Sequence, residues 1–156
     1  MKLQIREATP DDIPAIKEMD RDVVLYVQGL DSTKNLDEVR KRHDDILERW
    51  VSISIHKIYL AFEDGDSKNP LGFIWIVTNN EQFTGVPYCF VMDIGIREGS
   101  RRHGIGTELM KKAFEYARSI GYDRVKLMVN GKNMNAIRFY RKLGFDVEDL
   151  YMRKIV

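Results

Sequence analysis

Apolar residues recur along this chain with two different periods, and the changes of period predict the order of its elements. Residues 2 to 7 alternate, with Leu3 and Ile5 on one face, which reads as a short strand. Thr9-Pro10-Asp11-Asp12 has the chemistry of a helix start: Thr9 as cap, Pro10 in the first turn, Asp12 reaching back. Ile13, Ile16 and Met19, continued by Val23, Val24 and Val27, form a helical stripe that Gly29 to Lys34 breaks. Asn35 with Glu38 marks a second start, and Leu36, Val39, Ile46, Leu47 and Trp50 form the next stripe. His43 falls on that same face and reads as a histidine at the edge of a core. Ile58 to Phe62 and Leu71 to Val77 are strand-like, with a polar turn from Asp64 to Pro70 between them. Tyr88 to Ile96 is too densely apolar to be half-exposed and is expected to be a central strand. The helix after Gly104 is expected to bury Leu109, Met110, Ala113, Phe114, Ala117 and Ile120, and to end at Gly121. Val125 to Val129 reads as a strand, Asn133 to Leu143 as a helix, and Phe145 to Arg153 as a last strand interrupted by acidic residues. The order β-α-α-β-β-β-α-β-α-β predicts one α/β domain over residues 1–156, built around a mixed sheet.

Composition narrows the partners. The 156 residues are 44% hydrophobic and 31% charged, and 25 Lys and Arg nearly balance 24 Asp and Glu. Bulk charge therefore makes no case for nucleic acid or for a membrane surface, and neither is expected as a partner. The single cysteine, Cys89, rules out an internal disulfide and any zinc cluster built on cysteine pairs. It lies in an apolar run and is expected to be inert. The N-terminus lacks the continuous apolar core of a signal peptide, and no apolar run approaches the roughly 18 residues that span a membrane. A cytoplasmic protein is the expectation.

Chemistry concentrates after the densest strand. Asp93-Ile94-Gly95-Ile96 closes that strand, and Arg101-Arg102-His103-Gly104-Ile105-Gly106-Thr107 leads into an amphipathic helix. Backbone N–H groups at such a turn converge, and the helix dipole adds positive charge, so the segment suits a phosphate. Gly99 and Gly104 have the spacing of a Walker A loop, but Ile105 stands where its lysine belongs and Gly106 where its Ser or Thr belongs. Gly104-Ile105-Gly106 begins like a dinucleotide fingerprint, but Leu109 replaces the third glycine. What remains is Arg-x-x-Gly-x-Gly between strand and helix.

That turn resembles the pyrophosphate-binding motif of the GNAT superfamily of acetyl-CoA-dependent N-acetyltransferases. Downstream, Asn133-x-x-Ala136-x-x-x-Tyr140-x-x-x-Gly144-Phe145 resembles the second cofactor-binding segment of the same superfamily, with one strand between the two. The resemblance covers roughly residues 58 to 150. It implies a mixed, mostly antiparallel central sheet flanked by helices, and transfer of an acetyl group from acetyl-CoA, as co-substrate and without a metal, to a primary amine. The acceptor would be a small molecule or a protein amino group. A homodimer is compatible with the superfamily.

By the same resemblance, backbone amides from Arg101, Arg102 and His103 through Gly104, Ile105, Gly106 and Thr107 take the coenzyme A pyrophosphate. The strand edge at Ile94, Gly95 and Ile96 takes the pantetheine arm and offers an N–H to the oxyanion. Asn133 and Ala136 line the arm, although an N-cap alone explains an Asn at that position. Tyr140 is the general-acid candidate, since a phenol of pKa about 10 can protonate a thiolate of pKa about 8.5. Asp93 is the base candidate: burial raises a carboxylate's pKa, and it is the one acid inside the apolar run. It departs from the superfamily, several of whose members carry an acid one position earlier, where Met92 stands. Strand alternation puts Met92 and Asp93 on opposite faces. A purely structural Asp93, bonded to loop amides, and an amine that arrives already neutral stay open beside the base reading.

Acceptor choice is expected to lie in residues 20 to 57 and 79 to 88. Asp20, Asp22, Asp31, Asp37, Glu38, Asp44, Asp45 and Glu81 there suit either a cationic amine or a solvated helix face. Two other classes of protein fit parts of the pattern: a non-catalytic acyl-CoA-binding regulatory module, and a nucleotide-binding protein using the turn from Gly99 to Gly106.

Overall fold

The computed structural model describes residues 2–20, 35–51 and 55–156. Five strands form one sheet in the spatial order β1-β2-β3-β4-β5. They are β1 (Leu3–Glu7), β2 (His56–Glu63), β3 (Gly72–Asn80), β4 (Pro87–Ile96) and β5 (Val125–Leu127). The first four pair antiparallel, and β5 joins β4 in parallel. Helices α1 (Ile13–Met19), α2 (Leu36–Val51), α3 (Ile105–Ser119) and α4 (Met134–Lys142) complete the described elements.

The sheet separates two cores. On one face α3 buries Ile105, Leu109, Met110, Ala113 and Ala117 against Ile74, Ile76, Cys89 and Val91. On the other, Ile16 and Met19 of α1 and Leu47 of α2 close over Ile58, Leu60, Phe62, Phe73 and Trp75. Trp75 donates its indole N–H to His56 Nδ1 at 3.1 Å, so the polar edge of the buried ring has a partner.

The first helix begins as the sequence predicts. A short 3-10 turn over Pro10–Asp12 precedes α1, and Asp12 Oδ2 accepts the Thr9 N–H at 2.7 Å. Arg6 of β1 holds both oxygens of Asp12, at 2.8 and 2.9 Å, and so ties α1 to the edge strand. Asn35 starts α2 by accepting the Asp37 N–H at 2.8 Å. The expected continuation of the first stripe through Val23, Val24 and Val27 lies outside the described residues, as do Asp22, Asp31 and the break from Gly29 to Lys34.

Three details differ from the sequence reading. Residues from Asp146 to Val156 form no strand, and every one of them is exposed. The segment carries Asp146, Glu148 and Asp149, buries no apolar face, and is held at Glu148 by Lys126, 2.5 Å away; without a buried face there is little to order a strand. Strand β5 stops at Leu127, leaving Met128 and Val129 exposed. Ile120 lies in the C-cap of α3 rather than in its buried stripe.

Candidate active site

Strand β4 carries a bulge that decides what the site contains. Val91 pairs with Ile76 and Asp93 with Trp75, which leaves Met92 as an extra residue in the ladder. Alternation would send Met92 and Asp93 to opposite faces; the bulge sends both toward α1 and α2. Met92 packs against the core of Ile16, Leu47 and Trp75, and the Asp93 carboxyl meets Asp20 and His43. A carboxylate one position after the superfamily's acid thus reaches the same side of the strand.

Past the bulge, one edge of β4 is open. Strand β5 runs beside it only from Cys89 to Val91. Arg97 N–H bonds Leu71 C=O across to β3. Antiparallel alternation therefore turns the backbone groups of Gly95 toward β3 and those of Ile94 and Ile96 to the open edge. Ile94 N–H is taken by its neighbour, since Asp93 Oδ1 accepts it at 2.7 Å. Ile96 N–H faces the same open edge of the sheet. Gly95 answers an internal need: a Cβ there would lie 2.4 Å from the Phe73 ring.

The chain then makes the anion turn. Arg101 is extended, Arg102 has φ 68°, and Gly104 has φ 78° before α3 begins. A left-handed arginine costs on the order of 1 kcal/mol, a strain of the kind that binding turns store. A turn with two left-handed residues just before the positive end of a four-turn helix suits an anion. Gly106 faces inward instead, where a Cβ would sit 3.3 Å from the Phe139 ring, so it permits α3 and α4 to approach.

Helix α4 closes the other wall. Asn133 caps it by accepting the Ala136 N–H at 3.1 Å. Gly144, at φ 91°, ends it in the left-handed conformation, and Phe145 folds back to set its ring edge-on to Tyr140 at 5.8 Å and near Phe114 at 5.9 Å. The Gly-Phe pair of the second motif therefore fixes the Tyr140 ring.

A cleft of about 930 Å³ lies between these parts. Its walls include Ile94, Gly95, Ile96, Arg101, Arg102, Gly104, Ile105, Gly106 and Thr107 from the first motif, and Asn133, Ala136 and Tyr140 from the second. His103 does not line it; its ring turns to the Ser100 carbonyl, 3.3 Å away. Asp93 does not line it either, but lies beneath its β4 wall. Met19, Asn135 and Phe139 contribute without having been singled out in the sequence. The position of Asn135 inside the second motif was a usable signal; Met19 arrives only through the packing of α1.

Electrostatics separate the cleft from what lies beneath it. Burial, and then the Asp93 charge, push the Tyr140 phenol up to about 12, so it stays protonated at neutral pH. Burial, reinforced by the Asp20 carboxylate, raises Asp93 well above the ordinary carboxylate range, and the Ile94 N–H offsets this only in part. Burial pulls the His43 imidazole down, but Asp20 and then Asp44 outweigh it, and His43 ends above its ordinary value. His43 Nδ1 lies 2.6 Å from Asp20 Oδ2, and Nε2 lies 3.8 Å from Asp93 Oδ2. Cys89 is fully buried and burial raises its thiol, as expected of an inert residue.

Known proteins match this architecture. The model of the acetyltransferase (GNAT) family matches residues 25–145. The chain belongs to the GNAT family. It is 31% identical over 105 residues to the L-ornithine N5-acetyltransferase NATA1 of Arabidopsis thaliana, covering 61% of this chain and 46% of that protein. It is 32% identical over 89 residues to a mycothiol acetyltransferase of Rhodococcus erythropolis, covering 57% of this chain and 30% of the other. The chain thus spans less than half the length of these curated relatives. Among solved structures, a putative acetyl transferase from Pyrococcus furiosus superposes with a TM-score of 0.83 at 26% identity, over 99% of this chain and 100% of that one. A GCN5-related N-acetyltransferase from Ralstonia eutropha shares the fold at a TM-score of 0.80 and 16% identity. Among the described residues no helix is long and apolar enough to cross a membrane.

Proposed function

We propose that this protein is an N-acetyltransferase that moves an acetyl group from acetyl-CoA to a primary amine of a small molecule, by direct attack within a ternary complex. The observation that carries this reading is the single cleft in which both motif segments meet, with a phosphate-shaped turn at one end and Tyr140 in its wall. The turn from Arg101 to Thr107 holds the pyrophosphate, and the open edge of β4 at Ile94 to Ile96 takes the amide-bearing arm as an added strand. The arm then brings the thioester carbonyl to the Ile96 N–H and its sulfur to Tyr140.

The chemistry follows from the charges. An amine attacks only when neutral, so a proton must leave it first, and Asp93, beneath the β4 wall of the cleft, takes it through a water. Its raised pKa brings it closer to neutral pH, where a base works best. The oxyanion forms against a fixed backbone amide, which costs little reorganisation. Tyr140 gives its proton to the departing thiolate. Direct attack also fits the cysteine, since the lone thiol is buried and protonated and offers no acyl carrier. A small-molecule acceptor is favoured because the curated relatives are named for ornithine and mycothiol.

The test joins binding to turnover. Thermal unfolding with acetyl-CoA, coenzyme A, ATP and NAD should shift only with the first two, by several degrees at about a hundred times the dissociation constant. Thiol release with a panel of primary amines should then give intersecting initial-velocity lines. Parallel lines would reject direct attack. Binding without turnover on any amine would favour an acyl-CoA-binding module, and a shift with ATP or NAD would reject the acetyltransferase reading.

A further inference from the structure

Beneath the cleft, three acid–base side chains from three elements converge on one point. Asp20 follows α1, His43 lies in the middle of α2, and Asp93 follows the bulge of β4. Their donor atoms all lie within 4.8 Å of one another. Asp20 is 2% exposed and the Asp93 side chain 10% exposed, so two carboxyl groups share a nearly dry site. Asp20 Oδ1, Asp93 Oδ2 and His43 Nδ1 are buried without a hydrogen-bond partner in their preferred direction. The His43–Asp20 contact is close, but the ring N–H does not point along it.

Unpartnered buried acceptors are costly and call for a donor. Among the described residues no charged neighbour is hydrogen-bonded to them. Lys17 of α1 is engaged by Glu48 and Asp44. Arg40, one turn before His43, reaches toward Asp37 with Nη1 at 3.9 Å, and its Nε is itself buried without a hydrogen-bond partner. From α2 itself Asp44 adds negative charge, and from α4 Tyr140 feels the charge of Asp93. Asp93, His43 and Asp20 thus form one mutually close cluster, which acts on Tyr140 through the Asp93 charge. A proton held on one of the three groups gives the others a donor.

We propose that the Asp20–His43 pair sets the charge of Asp93, the residue that takes the proton leaving the acceptor amine. This rests on the acetyltransferase reading above. The ammonium releases one proton, through a water, to the Asp93 carboxylate, which holds it beside the His43 imidazolium. The freed lone pair forms the C–N bond at the thioester carbonyl carbon. The oxyanion collapses, the C–S bond breaks, and Tyr140 protonates the thiolate. The second N–H proton of the new amide nitrogen restores the Tyr140 phenol, and Asp93 returns the first proton to water. In this scheme Asp93 is the catalytic residue, and His43 and Asp20 are positioning residues that set its charge.

The two positioning residues carry opposite charges, so their removal acts in opposite directions. His43→Gln takes away a cation, and the acid limb of kcat/KM should rise by about half a pH unit or more. Asp20→Asn takes away an anion, and the same limb should fall by a similar amount. Limbs that stay fixed while rates drop, or that move the same way, would overturn the proposal, because loosened packing lowers amplitude without reversing a shift. Loss of activity in EDTA with recovery on added zinc would also overturn it, by showing a cation where the proton is placed. A second measurement needs neither turnover nor the His43 variant. The chain has three histidines, so imidazole NMR can follow each one. His43 should titrate above its ordinary value in the unmodified protein and move down in Asp20→Asn. Titration at or below the ordinary value would sink the proposed pair even if acetyl transfer is confirmed. The expected titration without turnover on any amine would instead place the fault in the acetyltransferase reading.

Discussion

The proposed cofactor side and the proposed amine side of β4 are built from different materials. On the first, the parts that matter are backbone: a strand edge left open, a turn with two left-handed residues, the first turns of two helices. On the second, they are side chains brought from α1, α2 and β4, separated by up to 73 positions between Asp20 and Asp93. Backbone sites are written locally, because a glycine, a cap and a helix start fix their geometry within a few residues. Side-chain clusters are written by the fold, and only packing brings their members together.

The contrast can be broken at Tyr140, where the two sides meet. Tyr140→Phe should lower kcat about 100-fold, the lower end of the range for general-acid contributions, with acetyl-CoA affinity nearly unchanged. Steady-state kinetics beside calorimetric binding checks this, and an unchanged kcat would remove the phenol from the mechanism. Gly104→Asp acts on the cofactor side alone. A side chain at φ 78° and a carboxylate facing the pyrophosphate should together weaken acetyl-CoA binding by about 2 kcal/mol, or roughly 30-fold. Normal binding by the folded variant would move the phosphate elsewhere.

Smaller effects probe the amine side's scaffold. Trp75→Phe removes the indole N–H that His56 Nδ1 accepts and opens space in the core beneath α1 and α2. About 1.5 kcal/mol should be lost in urea unfolding. The smallest effect concerns the anchor of α1. The Arg6 guanidinium, helped by the Thr9 amide and opposed by partial burial, holds the Asp12 carboxyl down at about 2. Because the folded pKa is depressed, the stabilisation is full above about pH 4 and fades as the pH falls through about 2. Allowing for the partial exposure of Arg6, Asp12→Asn should cost about 1 kcal/mol at neutral pH and flatten the acid limb of a stability–pH curve. An unchanged slope would mean that the pair does not hold α1.

Legibility in the sequence followed the same divide. The strands from Ile58 to Ile96, the helix after Gly104 and the caps at Thr9, Asn35 and Asn133 could be read from period and chemistry, and so could most walls of the cleft. The exceptions have physical reasons. His103 was expected to offer a backbone amide; its ring is directed outward by a turn that changes hand at Arg102 and lines no wall of the cleft. Phe145 to Arg153 has strand-like residues but no buried face to order them. Asp93 was visible as an acid in an apolar run, whereas its face was not, because alternation assumes a regular pleat. His43 looked like an ordinary core-edge histidine, and nothing local ties it to Asp20 or Asp93.

The bulge at Met92 carries one more consequence. It acts as a parity switch within a single strand: residues before it count odd and even in one sense, residues after it in the other. Deleting Met92 would restore an unbroken count and leave Val91 on the α3 face and Asp93 toward α1 and α2, at the cost of the Met92 side chain alone. Drawing Met92 into a regular pleat would instead force a choice: either Asp93 would leave its partners for the α3 face, or Val91 and Cys89 would leave the core that holds them. The bulge, rather than the Met92 side chain, thus keeps the two halves of β4 facing the right way at once.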